Sequence, residues 1–225
     1  MTYARRAWVI LWKDLLTEQR SKESLNAIVF FTLLLLFIFQ FALGPDRELL
    51  RAVLPGILWL GFIFAGLLGL GRSFLAEREN DCWEGLILTP GDKSAFFVGK
   101  LIGNVVLMAV VEALFLVLFG IFYNVDLWST LPQLALVVFL GTVGLAAVGT
   151  TFAAMTADVR ARELLFPLLV LPAQVPLLLG TVKATEAVFQ GLPLAEVGHW
   201  LKLLAAADIV YLVVGILTFE FILEA

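Results

Sequence analysis

Charge is scarce in this sequence. Asp, Glu, Lys and Arg make up 15 % of its 225 residues, where a soluble domain carries roughly a quarter. An ordinary water-soluble surface is thereby excluded. Histidine and cysteine are scarcer still, since His199 and Cys82 are the only residues of their types. One histidine rules out a multi-histidine metal site within the chain, and no catalytic triad assembles around it. One cysteine rules out an intramolecular disulfide. A Walker A loop is missing as well: Gly99-Lys100 is followed by Leu101 and lacks the upstream glycine. No catalytic residue and no metal ligand set is assigned, and any ATP-driven step must draw on a partner subunit. The scattered basic residues give no support for a nucleic-acid partner.

What the sequence has instead is apolar residues, 61 % of the total, with a mean hydropathy of +1.00. They fall in runs long enough to cross a hydrocarbon core of ~30 Å. Lipid offers no hydrogen bonds, so spanning segments must be helices or closed barrels. These runs are too continuous for barrel strands, which alternate over about ten residues. The expected fold is an all-α membrane protein with six spans, near Leu25–Leu43, Ala52–Gly71, Ala95–Phe122, Leu131–Met155, Leu164–Val182 and Leu201–Leu223. Residues 1–24 form a leading helix, residues 25–225 the transmembrane domain, and residues 72–94 a loop between the second and third spans. A charged stretch precedes the first apolar run, so that run is expected to act as the insertion signal.

The leading segment reads as an amphipathic helix in the membrane interface. On a helical wheel Ala4, Trp8, Leu11, Trp12, Leu15 and Leu16 share one face, with Arg6, Lys13, Thr17 and Arg20 opposite. The plainer reading is a lead-in that docks on nothing. Lys and Arg then give the orientation. With the N-terminus in the cytoplasm, the inner side holds Arg5, Arg6, Lys13, Arg20, Lys22, Arg72, Arg78, Lys93, Lys100, Arg160 and Arg162. Arg47, Arg51, Lys183 and Lys202 are left outside, as the positive-inside rule requires. The expected location is the inner membrane. Small residues at four-residue spacing, such as Gly61, Ala65 and Gly69, or Gly99 and Gly103, or Ala146, Thr150 and Ala154, suit close helix packing. That packing could lie within one chain or between chains.

Polar groups inside spans are costly and are functional candidates. Glu112 lies in the third span and Asp208 in the sixth, with no buried basic partner evident; a proton path and simple interhelical hydrogen bonding both account for them. The fifth span carries Pro167, Pro172 and Pro176 around Gln174, so a kinked or discontinuous helix is expected there. His199-Trp200 opens the last span, where the imidazole would be either a heme-iron ligand or, with the indole, an interfacial anchor.

The most informative segment is Glu77-Arg78-Glu79-Asn80-Asp81-Cys82-Trp83-Glu84-Gly85-Leu86-Ile87-Leu88-Thr89-Pro90, between the second and third spans. Charges come first, then a short apolar helical stretch, then a stop, and Gly99-Lys100 opens the next span. An apolar Trp83-Leu86-Ile87 surface rimmed by Glu77, Arg78, Glu79 and Glu84 suits docking onto a soluble protein. The plainer reading is a helix resting on the bilayer.

This pattern resembles the coupling loop of ABC-2-type exporter permeases, which reads Glu-Arg-Glu-x-Gly-Thr-x-Glu-x-Leu-Leu-x-Ser/Thr-Pro and ends near a Gly-Lys. The match lies at Glu77, Arg78, Glu79, Glu84, Leu86, Thr89, Pro90 and Lys100; Asp81 and Cys82 depart from it. Nearly end to end, the chain is similar to the CcmB family of heme-exporter membrane subunits in c-type cytochrome biogenesis. That similarity rests on Trp12-Lys13-Asp14-Leu15, Glu18-Gln19-Arg20, Phe74 to Glu79, Gly85 to Pro90 and Leu164 to Pro172. The resemblance implies a non-enzymatic permease, homodimeric and paired with a CcmA-like ATPase, with ATP bound only by that partner. It further implies association with CcmC, CcmD and a periplasmic heme chaperone, with heme as transported or handled ligand. Another cargo (lipid, glycan or drug), a non-transporting scaffold for heme-handling proteins, and a proton-coupled carrier are the alternatives.

Overall fold

The computed structural model describes residues 3–20, 22–44, 46–74, 77–78, 92–125, 127–128 and 130–224. Its helices, in chain order, are α1 (Tyr3–Arg20), α2 (Lys22–Leu43), α3 (Arg47–Leu70), α4 (Ser94–Tyr123), α5 (Leu131–Thr156), α6 (Arg162–Phe189) and α7 (Leu194–Glu224). From α2 onward there are six helices long and apolar enough to cross a bilayer. The chain is a multi-pass, all-α membrane protein. Successive spans alternate in direction. The start of α4 and the α5–α6 connection therefore share the end of the bundle that carries α1, and the α2–α3 and α6–α7 turns share the far end.

All six expected spans form, most with ends within three residues of those expected, but three ends run further past the apolar runs. α3 begins at Arg47 rather than Ala52, because Asp46 caps it: Asp46 Oδ1 accepts from the backbone N–H of Glu48 at 3.0 Å and of Leu49 at 3.1 Å. α6 continues to Phe189, beyond Val182, and its turn into α7 passes through Gly191 at φ +72°. α7 begins at Leu194 rather than Leu201. Hydropathy marks the lipid-length core of a helix, whereas caps and turns decide where it stops.

Of the two expected forms of the fifth span, kinked or discontinuous, the discontinuous one does not occur. α6 runs through Pro167, Pro172 and Pro176 as one helix. Each proline deletes one backbone donor, and a neighbouring helix can make up for such losses. The carbonyls freed are those of Glu163, Leu168 and Pro172; beside the last of these the Tyr211 hydroxyl of α7 donates to the Ala173 carbonyl at 2.8 Å and ties the two helices together.

α5 is the central helix, packed against α3, α4, α6 and α7. Its buried face is mostly small: Gly141, Gly144, Ala146, Ala147, Gly149 and Ala153. Trp59 lies over Gly141, Leu70 over Gly149, and Leu177 with Asp208 over Gly144. These glycines, outside the four-residue spacings singled out from the sequence, receive side chains of neighbouring helices in the same chain; of the spaced set, Gly61 faces the Phe115 ring, while nothing lies within 4 Å of a Cβ on Gly69. Between α3 and α4 runs an aromatic ladder, Trp59–Phe62–Phe115–Phe119–Tyr123, with successive centroids 5.3, 5.4, 6.2 and 5.0 Å apart. The Trp59 indole N–H donates to Thr185 Oγ1 at 2.8 Å, tying α3 to α6. On the outside, Phe30, Phe41, Ile121, Leu164 and Phe221 are between 70 % and 81 % exposed, a pattern that only a lipid surround makes favourable.

Candidate functional site

At the α1 end, four charged side chains from three segments meet: Lys13 and Asp14 of α1, Glu77 beyond α3, and Lys100 in the second turn of α4. Two glycines let α1 reach this position. A Cβ on Gly99 would come 2.7 Å from the Ala7 carbonyl oxygen and 2.9 Å from Ile10 Cβ, so the α1 backbone rests on α4 there. One turn on, Gly103 faces Leu11 and Asp14 at 3.7 Å. The buried stripe of α1 is therefore Ala7, Ile10, Leu11 and Asp14, while Trp8 and Trp12, stacked 6.5 Å apart, point away from the protein. This corrects the helical-wheel reading in two places. Leu11 turns to the protein rather than joining Trp8 and Trp12, and the Lys13 ammonium reaches inward instead of facing only water.

Lys100 is the centre of the cluster. Its Nζ lies 2.8 Å from Glu77 Oε1 and 3.2 Å from Asp14 Oδ2, and it donates to the Ser73 carbonyl. Lys13 Nζ donates to the same Glu77 oxygen and lies 3.0 Å from Asp14 Oδ1. The Phe74 ring closes over the Lys100 ammonium at 5.0 Å. Only 2 % of the Lys100 side chain and 3 % of Glu77 are exposed. Two cations and two carboxylates neutralise one another, which burial demands. Burial pushes the Glu77 carboxyl up, but the Lys100 charge and the hydrogen bonds from Lys100 and Lys13 overcome it and hold the group below its usual range. Burial opposes the charged form of Lys13, and the hydrogen bond to Glu77 with the nearby Asp14 charge outweighs that and raises it.

The cluster continues into the bundle. The Ser73 hydroxyl donates to Asn104 Oδ1 at 3.1 Å, and Asn104 Nδ2 donates to Thr150 Oγ1 at 2.8 Å. One polar chain thus links α1, the end of α3, α4 and α5. Next to it Arg78 pairs with Asp158 of the α5–α6 connection, so the segment after α3 is tied to the segment after α5. Around that pair lies a cavity of about 470 Å³ bordered by Arg160, Arg162 and Glu163.

Of the residues expected to rim a partner-docking surface, Glu77 is instead buried against Lys100 and Lys13, and Arg78 is held by Asp158. Glu79, Trp83, Glu84, Leu86 and Ile87 lie outside the described residues. The expected pathway residues do not converge. Glu112 is buried on α4, hydrogen-bonded to the Thr142 hydroxyl of α5, and lines a small cavity with Asn104 and Met108. Asp208 is buried on α7 against Gly144, and Gln174 is buried on α6; neither lines that cavity. Among the described residues no ion pair reaches Glu112 or Asp208. His199 is exposed at the start of α7, its ring 4.7 Å from that of Trp200, which packs against the core. No group of three metal-ligating side chains occurs among the described residues.

Ser73, Asn104 and Thr142 escaped the sequence reading, which took Asp14 only as part of a family resemblance and Thr150 only as a small residue for packing. One signal was available for Asp14: a lysine six residues into an apolar helix needs a counter-charge.

Comparison with known proteins adds a second line of observation. The family model described as CcmB protein matches residues 5–224. Heme exporter protein B of Pseudomonas aeruginosa is 31 % identical over 190 residues, covering 84 % of this chain and 83 % of that protein. The Bradyrhizobium diazoefficiens protein of the same name is 31 % identical over 187 residues, 83 % of each chain. That of Paracoccus denitrificans is 30 % identical over 197 residues, 88 % of each chain.

Proposed function

The chain belongs to the CcmB protein family, and from that we propose that it is the permease subunit of an ATP-driven heme exporter serving c-type cytochrome maturation. The ATPase is a separate, CcmA-like subunit that docks on the loop between α3 and α4. The complex sits in the inner membrane as a homodimer of this chain with its ATPase, in association with CcmC, CcmD and a periplasmic heme chaperone. The α1 end faces the cytoplasm. Its excess of basic residues, Arg5, Arg6, Lys13, Arg72, Arg78, Lys93, Lys100, Arg160 and Arg162 against Arg47, Arg51, Lys183 and Lys202, supports that orientation.

The observation that carries the mechanism is the Glu77–Lys100 pair. A docking loop can transmit motion only if its ends are fixed to the parts that must move. Glu77 stands at one end of that loop and Lys100 just past the other, and their contact is buried and shared with α1. Arg78 adds a tie to the α5–α6 connection. Nucleotide-driven closure of the ATPase would push Trp83, Glu84, Leu86 and Ile87, and this clamp would pass the displacement to α1, α4 and α6 together. Such motion is driven by the ATPase state only insofar as it binds the two arrangements of the bundle differently.

The test is co-purification from native membranes in mild detergent, with ATPase activity assayed for wild type and Glu84→Lys. Capture of a P-loop ATPase whose activity changes with that substitution supports the reading. Absence of any ATPase, under conditions that preserve other ATP-driven exporters, rejects it and favours the scaffold or secondary-carrier alternatives.

A further inference from the structure

We infer that the cavity at the far end of the bundle is a binding site for an anionic amphipath, held through Arg47 and Arg51. The cavity measures about 1010 Å³ and lies between the ends of α2, α3, α4 and α6. This is the upper end of the ~300–1,000 Å³ typical of small-molecule sites. Arg47 and Arg51 both line it, four residues apart on α3. That spacing puts them on one helix face about 6 Å apart along the axis. Neither guanidinium has an ion-pair partner among the described residues.

The rest of the wall argues for an incoming anion with an apolar body. Glu186 is the one carboxylate among the lining residues, and it is occupied by Lys183 at 2.8 Å. Among the described lining residues, two arginines therefore stand against no free carboxylate. Gln40 also lines it, and its buried Oε1 has no hydrogen-bond partner. Leu50, Leu54, Phe122 and Phe189 supply the apolar surface. Guanidinium groups bind carboxylate and phosphate in bidentate fashion, and more strongly away from bulk water. Two arginines above an apolar wall fit a ligand with acidic groups at the edge of a hydrophobic body. Two sources have that chemistry: a porphyrin dicarboxylate, which rests on the heme-exporter reading, and an acidic phospholipid from the bilayer, which does not.

The test uses the full chain in detergent and in nanodiscs, with three probes: iron protoporphyrin IX, its dimethyl ester, and phosphatidylglycerol. Arg47→Gln/Arg51→Gln is compared with Arg47→Lys/Arg51→Lys and wild type; all three are first required to elute as folded protein. The expected result is a loss of about tenfold or more in porphyrin or phosphatidylglycerol binding by the Gln pair, the scale of one charge-assisted hydrogen bond. The Lys pair should retain part of the binding. If the porphyrin arm responds and the dimethyl ester binds poorly to wild type, cargo is the source. If only phosphatidylglycerol retention responds, by native mass spectrometry, the source is lipid. Equal binding of every probe by wild type and the Gln pair overturns the site. ATPase capture is measured on the same samples, so a chain that captures ATPase yet shows no arginine dependence refutes this site alone. A chain that binds through the arginines without capturing ATPase refutes only the exporter reading.

Discussion

Lys100 and Glu77 form an ion pair 2.8 Å long that is almost wholly withdrawn from solvent, joining the early part of the α3–α4 connection to the second turn of α4. Lys100 is the more demanding member, since Glu77, Asp14 and the Ser73 carbonyl all converge on its ammonium. Buried ion pairs seldom beat a well-packed apolar replacement, but removing one member is costly.

Lys100→Met should therefore destabilise the fold by about 3–5 kcal/mol, and Glu77→Gln/Lys100→Met by less than the sum of the single changes. Denaturant unfolding in detergent, arranged as a double-mutant cycle, reads the coupling. Strictly additive effects would mean the pair is not formed.

Attachment of α1 should depend on pH at both extremes. Glu77 is held below its ordinary 4.5, so its contribution is present above 4.5 and is lost as pH falls through the lowered folded value. Lys13 is held above its ordinary 10.5, so its contribution is full below 10.5 and is lost as pH rises through the raised value. Protease accessibility of α1 should be flat between those limits and increase outside them. In Glu77→Gln the acid limb should shrink relative to wild type; an unchanged acid limb would contradict the assignment.

Two neighbouring glycines should respond unequally. In Gly99→Ala the new methyl meets a backbone oxygen at 2.7 Å, which no rotamer change relieves. A cost of about 1–3 kcal/mol and a loosened α1 are expected. Gly103→Ala meets only ordinary contacts at 3.7 Å and should be nearly neutral. Thermal stability with proteolysis of α1 separates the two; equal effects would argue against close approach at Gly99.

Glu112→Gln with Asp208→Asn should leave cytochrome c maturation intact. Glu112 meets a threonine on one side of α5, Asp208 faces Gly144 two positions along that helix, and the cavity lined by Glu112 does not include Asp208. Loss of maturation with normal insertion and ATPase capture would instead bring a proton-coupled step forward.

His199→Ala should likewise leave maturation intact, since the exposed imidazole leans on Trp200 and the described residues place no second metal ligand beside it. A fall in maturation with unchanged protein levels would restore it as a heme ligand.

The spans could be read from sequence because lipid imposes a length and a composition that any window detects. The resemblance of residues 77–90 to a coupling loop could be seen because its charges, apolar residues and Thr-Pro are contiguous in sequence. What escaped were pairings across distance. Asp14 and Lys100 are separated by 86 positions, and each alone reads as a topological charge. Asn104 and Thr150 lie 46 apart in segments whose polarity is diluted by apolar neighbours. Pro167, Pro172 and Pro176 left two forms open, a kink or a break, because a local rule cannot choose between them; the surrounding helices decide whether a proline-bearing segment stays helical, and α6 is unbroken.

The docking of α1 on α4 also sets an order of events during synthesis. At ~5–20 residues per second, α1 leaves the ribosome on the order of 4–17 s before the residues it must bind, given the 86-position gap between Asp14 and Lys100. During that interval two membrane-spanning helices are made and inserted, and α1 has no protein partner. Exposed indoles such as Trp8 and Trp12 favour a membrane surface, and the nascent segment would be expected to wait there until Gly99 arrives to receive it.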